Sequence, residues 1–564
     1  MPGTPVGSIQ GRSSPPVRCW PALLRLTLAV ALVLAGASIA RAVADRTLVL
    51  APDGAFRGMI DATGTVREFL GVRYAQPVTG DLRWKPPQPV TRAFATQDAT
   101  HVGNHCPQAF SPFGNASVTE DCLFLNVFTP NDDADDPHPV MVWIHGGALV
   151  VGESDEFDAT RLVERGVVVV TINYRLGALG FLAHPALTGE SPDHISGNYG
   201  IEDQQAALRW VRRNILAFGG DPENVTVFGE SAGGLSTFLN VVSPTAKGLF
   251  HRAIVESGGY QLTQPTLAQT EAAGTAFANA VGCNQPAAVL ACLRALSVPA
   301  ILANQSLTFV GLGPAPNIDG KVLTQSIQTA LGSGEFNRVP LMNGTNHDEW
   351  RLFVALDFDL VAGVGPVTSA TYPATIAATI GSAAAAPAVQ AQYPLANFPS
   401  PDVAVGALGT DAIFACPGRF ADQLASPFVP TFAYEFKDEN APEDFLPPVS
   451  FPYGAAHASE IQYIFPTHNP SGLGLDLAQT PLTPAQQKLS DQMVRYWTEF
   501  ARRGRPNASG QPIWPPFHRD QDLMQSLGTP AVTTGSSFAT DHQCAFWDQL
   551  SGRTLPPVRS ADSD

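Results

Sequence analysis

The residues with the clearest chemical potential lie in the segment NVTVFGESAGG, residues 224–234. A short apolar run passes directly into GESAG, and a segment compatible with a helix follows. A Gly-X-Ser-X-Gly motif between a strand and a helix is typical of a nucleophile elbow, a strained turn that presents the serine hydroxyl at the edge of a sheet. The start of the helix then lies beneath the developing negative charge. The segment therefore predicts that Ser231 is a nucleophile.

A serine hydroxyl attacks an ester only when a base takes its proton and hydrogen-bond donors receive the charge on the carbonyl oxygen. The segment HGGA at 145–148 follows the apolar run VMVWI and matches a loop that supplies such donors from its backbone. We predict an oxyanion hole formed by the N–H groups of Gly146, Gly147 and Ala232. His145 is interpreted as holding this loop, because the chain order associated with this motif is nucleophile, acid and then base.

The same chain order places the base downstream of Ser231 and the acid between the two. The candidate bases are His251, His347, His457, His468, His518 and His542. Spacing along the chain does not choose among them.

The elements that must position these groups alternate along the chain. Continuous apolar runs rich in β-branched residues indicate strands that are covered on both faces, and they lie at 140–144, 167–173, 225–228, 253–255 and 340–343. Residues 202–215 have apolar side chains near helical spacing. Another helix is predicted to follow Thr483 as its cap, with Pro484 at its first position, and to stop at Gly504. This alternation predicts an α/β fold with a mostly parallel sheet flanked by helices.

Composition excludes several classes of protein. The chain has 564 residues, of which 45% are hydrophobic and 15% are charged, against about 25% charged residues in an average protein. This excludes a disordered tail and a coiled coil. The formal net charge of −17 repels phosphate backbones, so a nucleic-acid partner is not expected.

The N-terminus has the order of a secretory signal. Arg12, Arg18 and Arg25 precede an apolar run at 26–37, and small residues follow up to Ala42 or Ala44. The run has about 12 residues, which is short of the roughly 20 needed to span a bilayer. We predict a signal peptide at 1–44, one domain at 45–564, and a secreted or extracytoplasmic protein. The alternative is an uncleaved anchor.

Six cysteines remain after removal of the signal, and an even number in an exported chain favours disulfides. Arithmetic allows 15 pairings. Short loops favour Cys106 with Cys122 and Cys283 with Cys292, which leaves Cys416 for Cys544. No CxxC or HExxH spacing occurs, so no metal site is predicted.

The chain resembles the type-B carboxylesterases, which include cholinesterases, secreted fungal lipases and bacterial nitrobenzyl-type esterases. Besides GESAGG and the HGG loop, the resemblance rests on EDCL at 120–123, NYR at 173–175, GNYG at 197–200 and FGGDP at 218–222. It covers nearly all of the chain after the signal. The resemblance implies the α/β-hydrolase fold, a Ser-His-Glu triad, a small-molecule ester substrate and no cofactor.

Further motifs assign residues by this resemblance. The segment GTNHDE at 344–349 resembles the acid motif and makes Glu349 the acid, with Asp348 as its neighbour. The segment GAAHASE at 454–460 resembles the histidine motif and makes His457 the base. Ser257 and Asp411 match positions of a supporting network, and the disulfides of the family fall on the three pairs proposed above.

One loop departs from these relatives. The Cys106–Cys122 loop is short and contains no Trp, whereas cholinesterases have a longer loop with a Trp that holds a quaternary ammonium by a cation–π interaction. Fungal lipases also have a longer loop here, which acts as a lid. We therefore predict an esterase for short or medium acyl chains. The alternatives are a secreted lipase and a noncatalytic neuroligin-like recognition protein, which typically lacks the nucleophile.

Overall fold

The computed structural model of the protein describes residues 45–556, except 94, 133, 135, 306–314 and 466–479. The predicted signal peptide at 1–44 and the candidate base His468 lie outside the described residues. Clustering of contacts separates the N-terminal residues up to 46 from a unit that begins at Thr47. Every element given below belongs to the second unit.

Fourteen strands occur among the described residues. They are β1 (Leu48–Ala51), β2 (Gly54–Arg57), β3 (Met59–Ile60), β4 (Val66–Arg73), β5 (Thr96–Asp98), β6 (Phe124–Pro130), β7 (His138–Ile144), β8 (Val168–Ile172), β9 (Gly220–Glu230), β10 (Arg252–Glu256), β11 (Leu341–Asn346), β12 (Thr431–Phe436), β13 (Met524–Leu527) and β14 (Thr533–Gly535). Strands β1, β2 and β5 form a small sheet, and the other eleven form a large one in the order β14-β13-β12-β11-β10-β9-β7-β8-β6-β4-β3.

Helices connect and cover these strands. The α-helices are α1 (Thr160–Val163), α2 (Gly177–Phe181), α3 (Pro185–Glu190), α4 (Tyr199–Asn214), α5 (Ala232–Val242), α6 (Leu267–Ala280), α7 (Val289–Ala295), α8 (Val298–Leu302), α9 (Ile327–Ser333), α10 (Trp350–Val354), α11 (Tyr372–Thr379), α12 (Ala386–Gln392), α13 (Pro401–Gly409), α14 (Cys416–Ala425), α15 (Ile461–Ile464), α16 (Pro484–Arg503), α17 (Phe538–Asp541) and α18 (Cys544–Ser551). Two π-helical turns, Ala355–Asp359 and Thr410–Ala415, continue α10 and α13. Among the described residues, no helix is both long and apolar enough to cross a bilayer.

The middle of the large sheet is parallel, from β8 through β7, β9, β10, β11 and β12 to β13. Alternate residues of β7 enter different hydrophobic cores: Val140 and Val142 enter one, and Met141 and Trp143 enter the other. Both faces of the strand are therefore covered, as its continuous apolar sequence predicted.

The helix signals in the sequence are also confirmed. Helix α16 begins with Pro484 after the cap Thr483, whose side chain forms a capping box with Gln486. It ends at Gly504, which has a φ of 69° and so takes the left-handed conformation that glycine adopts without strain. The predicted helix at 202–215 begins earlier, at Tyr199.

Three disulfides join Cys106 to Cys122, Cys283 to Cys292 and Cys416 to Cys544. The third links the first residue of α14 to the first residue of α18, across a sequence separation of 128 residues. It therefore attaches the C-terminal helices to the edge of the core.

A buried histidine next to this disulfide holds a group of carboxylates together. His542 Nδ1 lies 2.6 Å from Asp411 Oδ1, and its Nε2 lies 2.8 Å from Glu435 Oε1. Burial alone would disfavour the charged ring, but the hydrogen bonds and charges of the two carboxylates outweigh burial and raise the pKa of His542 to about 10. Asp411, which also accepts a hydrogen bond from Tyr393, thus belongs to this group.

We expect His542→Gln to lower the free energy of unfolding by about 3–5 kcal/mol at pH 6, because two buried carboxylates lose their cation. The pKa of His542 is higher in the folded chain than in the unfolded chain, so its contribution is fully present below about pH 6.5 and is lost as the pH rises toward 10. Urea unfolding of both proteins at pH 6, 8 and 9.5 measures this difference. His101→Gln is the control, since His101 is exposed; a His542→Gln deficit that stays constant with pH would contradict the charged pair.

Candidate active site

Four loops meet where the parallel strands end. Ser231 follows β9, the loop at 145–148 follows β7, Ser257 follows β10, and residues 347–349 follow β11. Ligands of open α/β sheets bind at the carboxyl ends of the strands. The sheet therefore brings these sequence-predicted residues together at the carboxyl ends of its parallel strands, although they are far apart in the sequence.

The turn at Ser231 is possible only with glycine on both sides. Ser231 has a φ of 55° and a ψ of −119°, a conformation that is strained for a residue with a side chain. A Cβ atom at Gly229 would lie 2.5 Å from the carbonyl oxygen of Ile144, and one at Gly233 would lie 1.9 Å from it. These glycines let β9 and α5 pass close to the end of β7 while Ser231 points out of the turn.

A continuous hydrogen-bonded chain links Ser231, His457 and Glu349. The Oγ atom of Ser231 lies 2.7 Å from Nε2 of His457. Nδ1 of His457 lies 2.5 Å from Oε2 of Glu349. All three residues are buried. With the ring hydrogen on Nδ1, which faces the carboxylate, Nε2 is free to accept the serine proton.

Three donors hold the other oxygen of Glu349. Its Oε1 accepts hydrogen bonds from Ser257 Oγ at 2.6 Å, from Thr345 Oγ1 at 2.6 Å and from the backbone N–H of Asn346 at 2.7 Å. A fully buried carboxylate needs such partners to offset its lost hydration. Ser257, which sequence reasoning placed in a supporting network, therefore contacts Glu349 directly.

Asp348 joins the loop that carries Glu349 to the loop that carries His457. Its backbone N–H donates to the carbonyl of Ala455 at 2.9 Å, and its Oδ2 accepts from the N–H of Ala455 at 3.0 Å. Arg351 pairs with Oδ1 at 2.8 Å. Asp348 thus fixes the spacing of the two loops, while the carboxylate that reaches His457 is that of Glu349.

The loop at 145–148 passes beside Ser231. A Cβ atom at Gly146 would lie 3.2 Å from the Cβ of Ser231. Within the described part of the chain, no acceptor occupies the backbone N–H groups of Gly146, Gly147 or Ala232. These three groups are therefore free to bind a further oxygen atom.

His145 anchors this loop. Its Nδ1 lies 2.9 Å from the carbonyl oxygen of Gly146, and its ring stacks on Tyr174 with centroids 4.5 Å apart. The hydroxyl of Tyr174 donates to the carbonyl of His145 at 3.0 Å. Burial lowers the pKa of His145 to about 4, so the ring is neutral at physiological pH.

The other candidate bases lie elsewhere. His251 directly precedes β10 and so lies at the opposite end of the parallel strands from Ser231. Its Nδ1 accepts a hydrogen bond from the backbone N–H of Val225. His542 lies in the Asp411 group, His347 lies beside Asp348 at 3.2 Å, and His518 is exposed. Among the described candidates, the tertiary structure brings His457 to the serine.

Sequence reasoning missed one residue of the site. Oε1 of Glu230 lies 3.2 Å from Nε2 of His457. Burial, together with the charges of Glu349 and Glu256, raises the pKa of Glu230 well above its usual range. The signal in the sequence was its position directly before Ser231 in GESAG, because a residue next to the nucleophile candidate in this tight turn lies close to the site.

A cavity of about 550 Å³ opens above Ser231 and His457. Most of its wall is apolar or aromatic, and Phe113 contributes to it from the Cys106–Cys122 loop. The volume lies within the range of about 300–1,000 Å³ that is typical of small-molecule sites. The site therefore has room for a small substrate next to the serine.

Comparisons with known proteins agree with this geometry. The sequence profile of the Carboxylesterase family matches residues 45–547. The chain belongs to the carboxylesterase family. As a carboxylesterase it has the α/β-hydrolase fold predicted above, and it is a carboxylic ester hydrolase.

Several curated carboxylesterases are similar over most of their length. A mouse (Mus musculus) acylcarnitine hydrolase is 34% identical over 504 residues, which cover 84% of this chain and 85% of the relative. A rabbit (Oryctolagus cuniculus) cocaine esterase is 34% identical, over 90% of this chain and 97% of the relative. A fumonisin B1 esterase from Sphingopyxis macrogoltabida is 34% identical, over 82% and 83% respectively.

Gly233→Ala tests the turn of this carboxylesterase. The new Cβ would lie 1.9 Å from the carbonyl oxygen of Ile144, so we expect at least about 3 kcal/mol of lost stability or loss of the folded protein. Gly189→Ala is the matched control, because a Cβ there meets no atom within 4 Å and the residue lies in α3. Thermal unfolding measures both, and equal melting temperatures would contradict the close contact.

Proposed function

We propose that the protein is a serine carboxylesterase in which Ser231 is the nucleophile, His457 the general base and Glu349 the acid. The observation that carries the proposal is the continuous chain of contacts from Ser231 through His457 to Glu349, at 2.7 Å and 2.5 Å. Such a chain is the arrangement that activates a serine hydroxyl.

In the proposed acylation step, His457 Nε2 takes the proton of Ser231 as Oγ attacks the ester carbonyl. Glu349 orients the ring through Nδ1 and stabilises the imidazolium that forms. The resulting tetrahedral intermediate collapses, His457 gives the proton to the alcohol that leaves, and the acyl group stays on Ser231. Water, activated by the same histidine, then attacks the acyl-enzyme and releases the carboxylic acid product. The proposed reaction uses no cofactor.

The negative oxygen of the tetrahedral intermediate is proposed to bind the N–H groups of Gly146, Gly147 and Ala232. The support is that no described acceptor occupies these groups and that the loop at 146 lies against Ser231. Each donor of such a hole typically contributes about 2.7–4 kcal/mol to lowering the barrier. His145 keeps the loop in place through its stack on Tyr174.

We further propose a preference for short or medium acyl chains. The Cys106–Cys122 loop is short and is held by its disulfide. It contributes Phe113 to the wall of the cavity, which is compatible with an open site bounded by this loop. Long acyl chains would need a tunnel or a mobile lid that such a loop does not supply.

Hydrolysis of p-nitrophenyl esters from acetate to palmitate tests both proposals. We expect turnover to be highest on short or medium chains, and Ser231→Ala to reduce kcat by at least about 10⁴-fold. Ser536→Ala, at an exposed position, is the control. A maximum at palmitate would favour a lipase, and no turnover by a folded, disulfide-intact protein would favour a noncatalytic recognition protein.

Replacement of the acid tests the triad separately. Glu349→Gln removes the charge that stabilises the imidazolium and leaves a side chain of nearly the same shape, so we expect kcat to fall by about 10³–10⁴-fold with KM little changed. Asp348→Asn is the comparison, because Asp348 does not contact His457. A larger loss of kcat in a folded Asp348→Asn variant would contradict Glu349 as the acid.

We also propose that the protein is exported. The order of basic, apolar and small residues at 1–44 and the three disulfides support this proposal, since disulfides persist in oxidising compartments. Mass spectrometry of the secreted chain should give an N-terminus at residue 43 or 45. A full-length chain retained by the membrane would instead favour an uncleaved anchor.

A further inference from the structure

The wall of the cavity above Ser231 contains a carboxylate that the proposed mechanism does not use. Apart from Glu230 and His457, which contact each other, the described ionisable lining residue is Asp357. The rest of the wall around it is apolar or aromatic and includes Trp350, Phe353 and Leu356. Asp357 is therefore an isolated negative charge on a surface that otherwise favours uncharged groups.

The backbone places Asp357 there through the same segment that carries the proposed acid. Helix α10 begins directly after Glu349, and its last residue is followed by the π-helical turn Ala355–Asp359. The wider turn changes the direction in which the side chains point. As a result, both Leu356 and Asp357 line the cavity, although they are adjacent in the sequence.

No described side chain neutralises this carboxylate, since Asp357 has neither a hydrogen bond nor an ion pair within the part of the chain that the structure describes. The nearest basic residue along the chain, Arg351, is paired with Asp348 at 2.8 Å and donates to the carbonyl of Pro452. Partial desolvation by the apolar wall raises the pKa of Asp357, although the residue keeps contact with solvent. A cationic ligand group would offset the lost hydration, and the neighbouring aromatic rings would also favour it.

We propose that Asp357 is a specificity-determining residue that favours ester substrates carrying an ammonium group away from the ester carbonyl. This inference rests on the proposed function of Ser231. It differs from recognition by an aromatic box, because the attracting group is a carboxylate on the wall of the cavity. Asp357 is also exposed to solvent, so screening limits the effect, and we expect a preference of about two- to fivefold, which is what an exposed charge pair yields.

Two pairs of isosteric esters test the proposal. In the first pair the charge is on the acyl side: the p-nitrophenyl ester of γ-trimethylammonio butyrate and its neutral tert-butyl isostere. In the second it is on the alcohol side: the thioacetate of choline and its neutral tert-butyl isostere. The measured quantity is the ratio of kcat/KM for the cationic ester to that for the neutral ester, at pH 8 and low ionic strength.

We expect Asp357→Asn to lower this ratio by about two- to fivefold in at least one pair, while kcat/KM for the neutral esters stays close to the wild-type value. Asp357→Lys should lower it further. Asp520→Asn, at an exposed position outside the cavity, should leave the ratio unchanged. Because screening shortens the reach of an exposed charge, the wild-type preference should also decrease at 0.5 M salt.

The outcomes separate this proposal from the one on which it rests. If the neutral esters are hydrolysed in a Ser231-dependent way but Asp357→Asn leaves both ratios unchanged, the role of Asp357 is wrong and the esterase proposal stands. If Asp520→Asn lowers the ratio as much as Asp357→Asn does, the effect arises from overall charge and the proposal is also wrong. If the neutral esters are not hydrolysed at all, the esterase proposal itself fails.

Discussion

The whole site depends on one close contact between backbones. Gly229 and Gly233 pack against the carbonyl oxygen of Ile144, at distances that leave no room for a Cβ atom. This contact fixes β9 and α5 against the end of β7, and β7 leads directly into the loop with Gly146 and Gly147. The turn that raises Ser231 and the loop with free N–H groups are therefore positioned together. A side chain at either glycine would separate them.

Two buried acidic residues near this turn, Glu349 and Glu230, have different hydrogen-bond environments. Glu349 is surrounded by three donors on one oxygen and by His457 on the other. Oε1 of Glu230, by contrast, is buried with no hydrogen-bond partner in the described part of the chain, and the pKa of Glu230 is strongly raised. Donors that replace water stabilise a buried carboxylate, so the two acidic residues beside the same histidine differ in how their lost hydration is compensated.

The end of the sheet that carries Ser231 and the wall of the cavity come from different kinds of structure. Ser231 lies at the end of a strand in the middle of the parallel sheet, and its geometry is fixed by backbone packing. The wall comes from the Cys106–Cys122 loop and from the segment that follows Glu349. Loops tolerate substitution better than packed strands do. Substitutions in the wall can therefore alter the shape of the cavity without moving Ser231.

Local sequence determined the elements and the turn at Ser231, because their signals lie within one strand, one turn or one helix. The apolar runs predicted the central strands, the cap at Thr483 and the stop at Gly504 predicted α16, and the glycines around Ser231 predicted the turn. The contacts of His457 were different. Ser231 and His457 are 226 residues apart, and Glu349 and His457 are 108 apart. Spacing left six histidines open, and only the resemblance to a family singled out His457.

The tertiary structure alone decided which polar groups meet, since neither Glu230 beside His457 nor Asp411 beside His542 could be read from the chain. The physical reason is that a turn or a helix forms from neighbours in the sequence, whereas a buried hydrogen bond between distant segments depends on how the sheet aligns its strands.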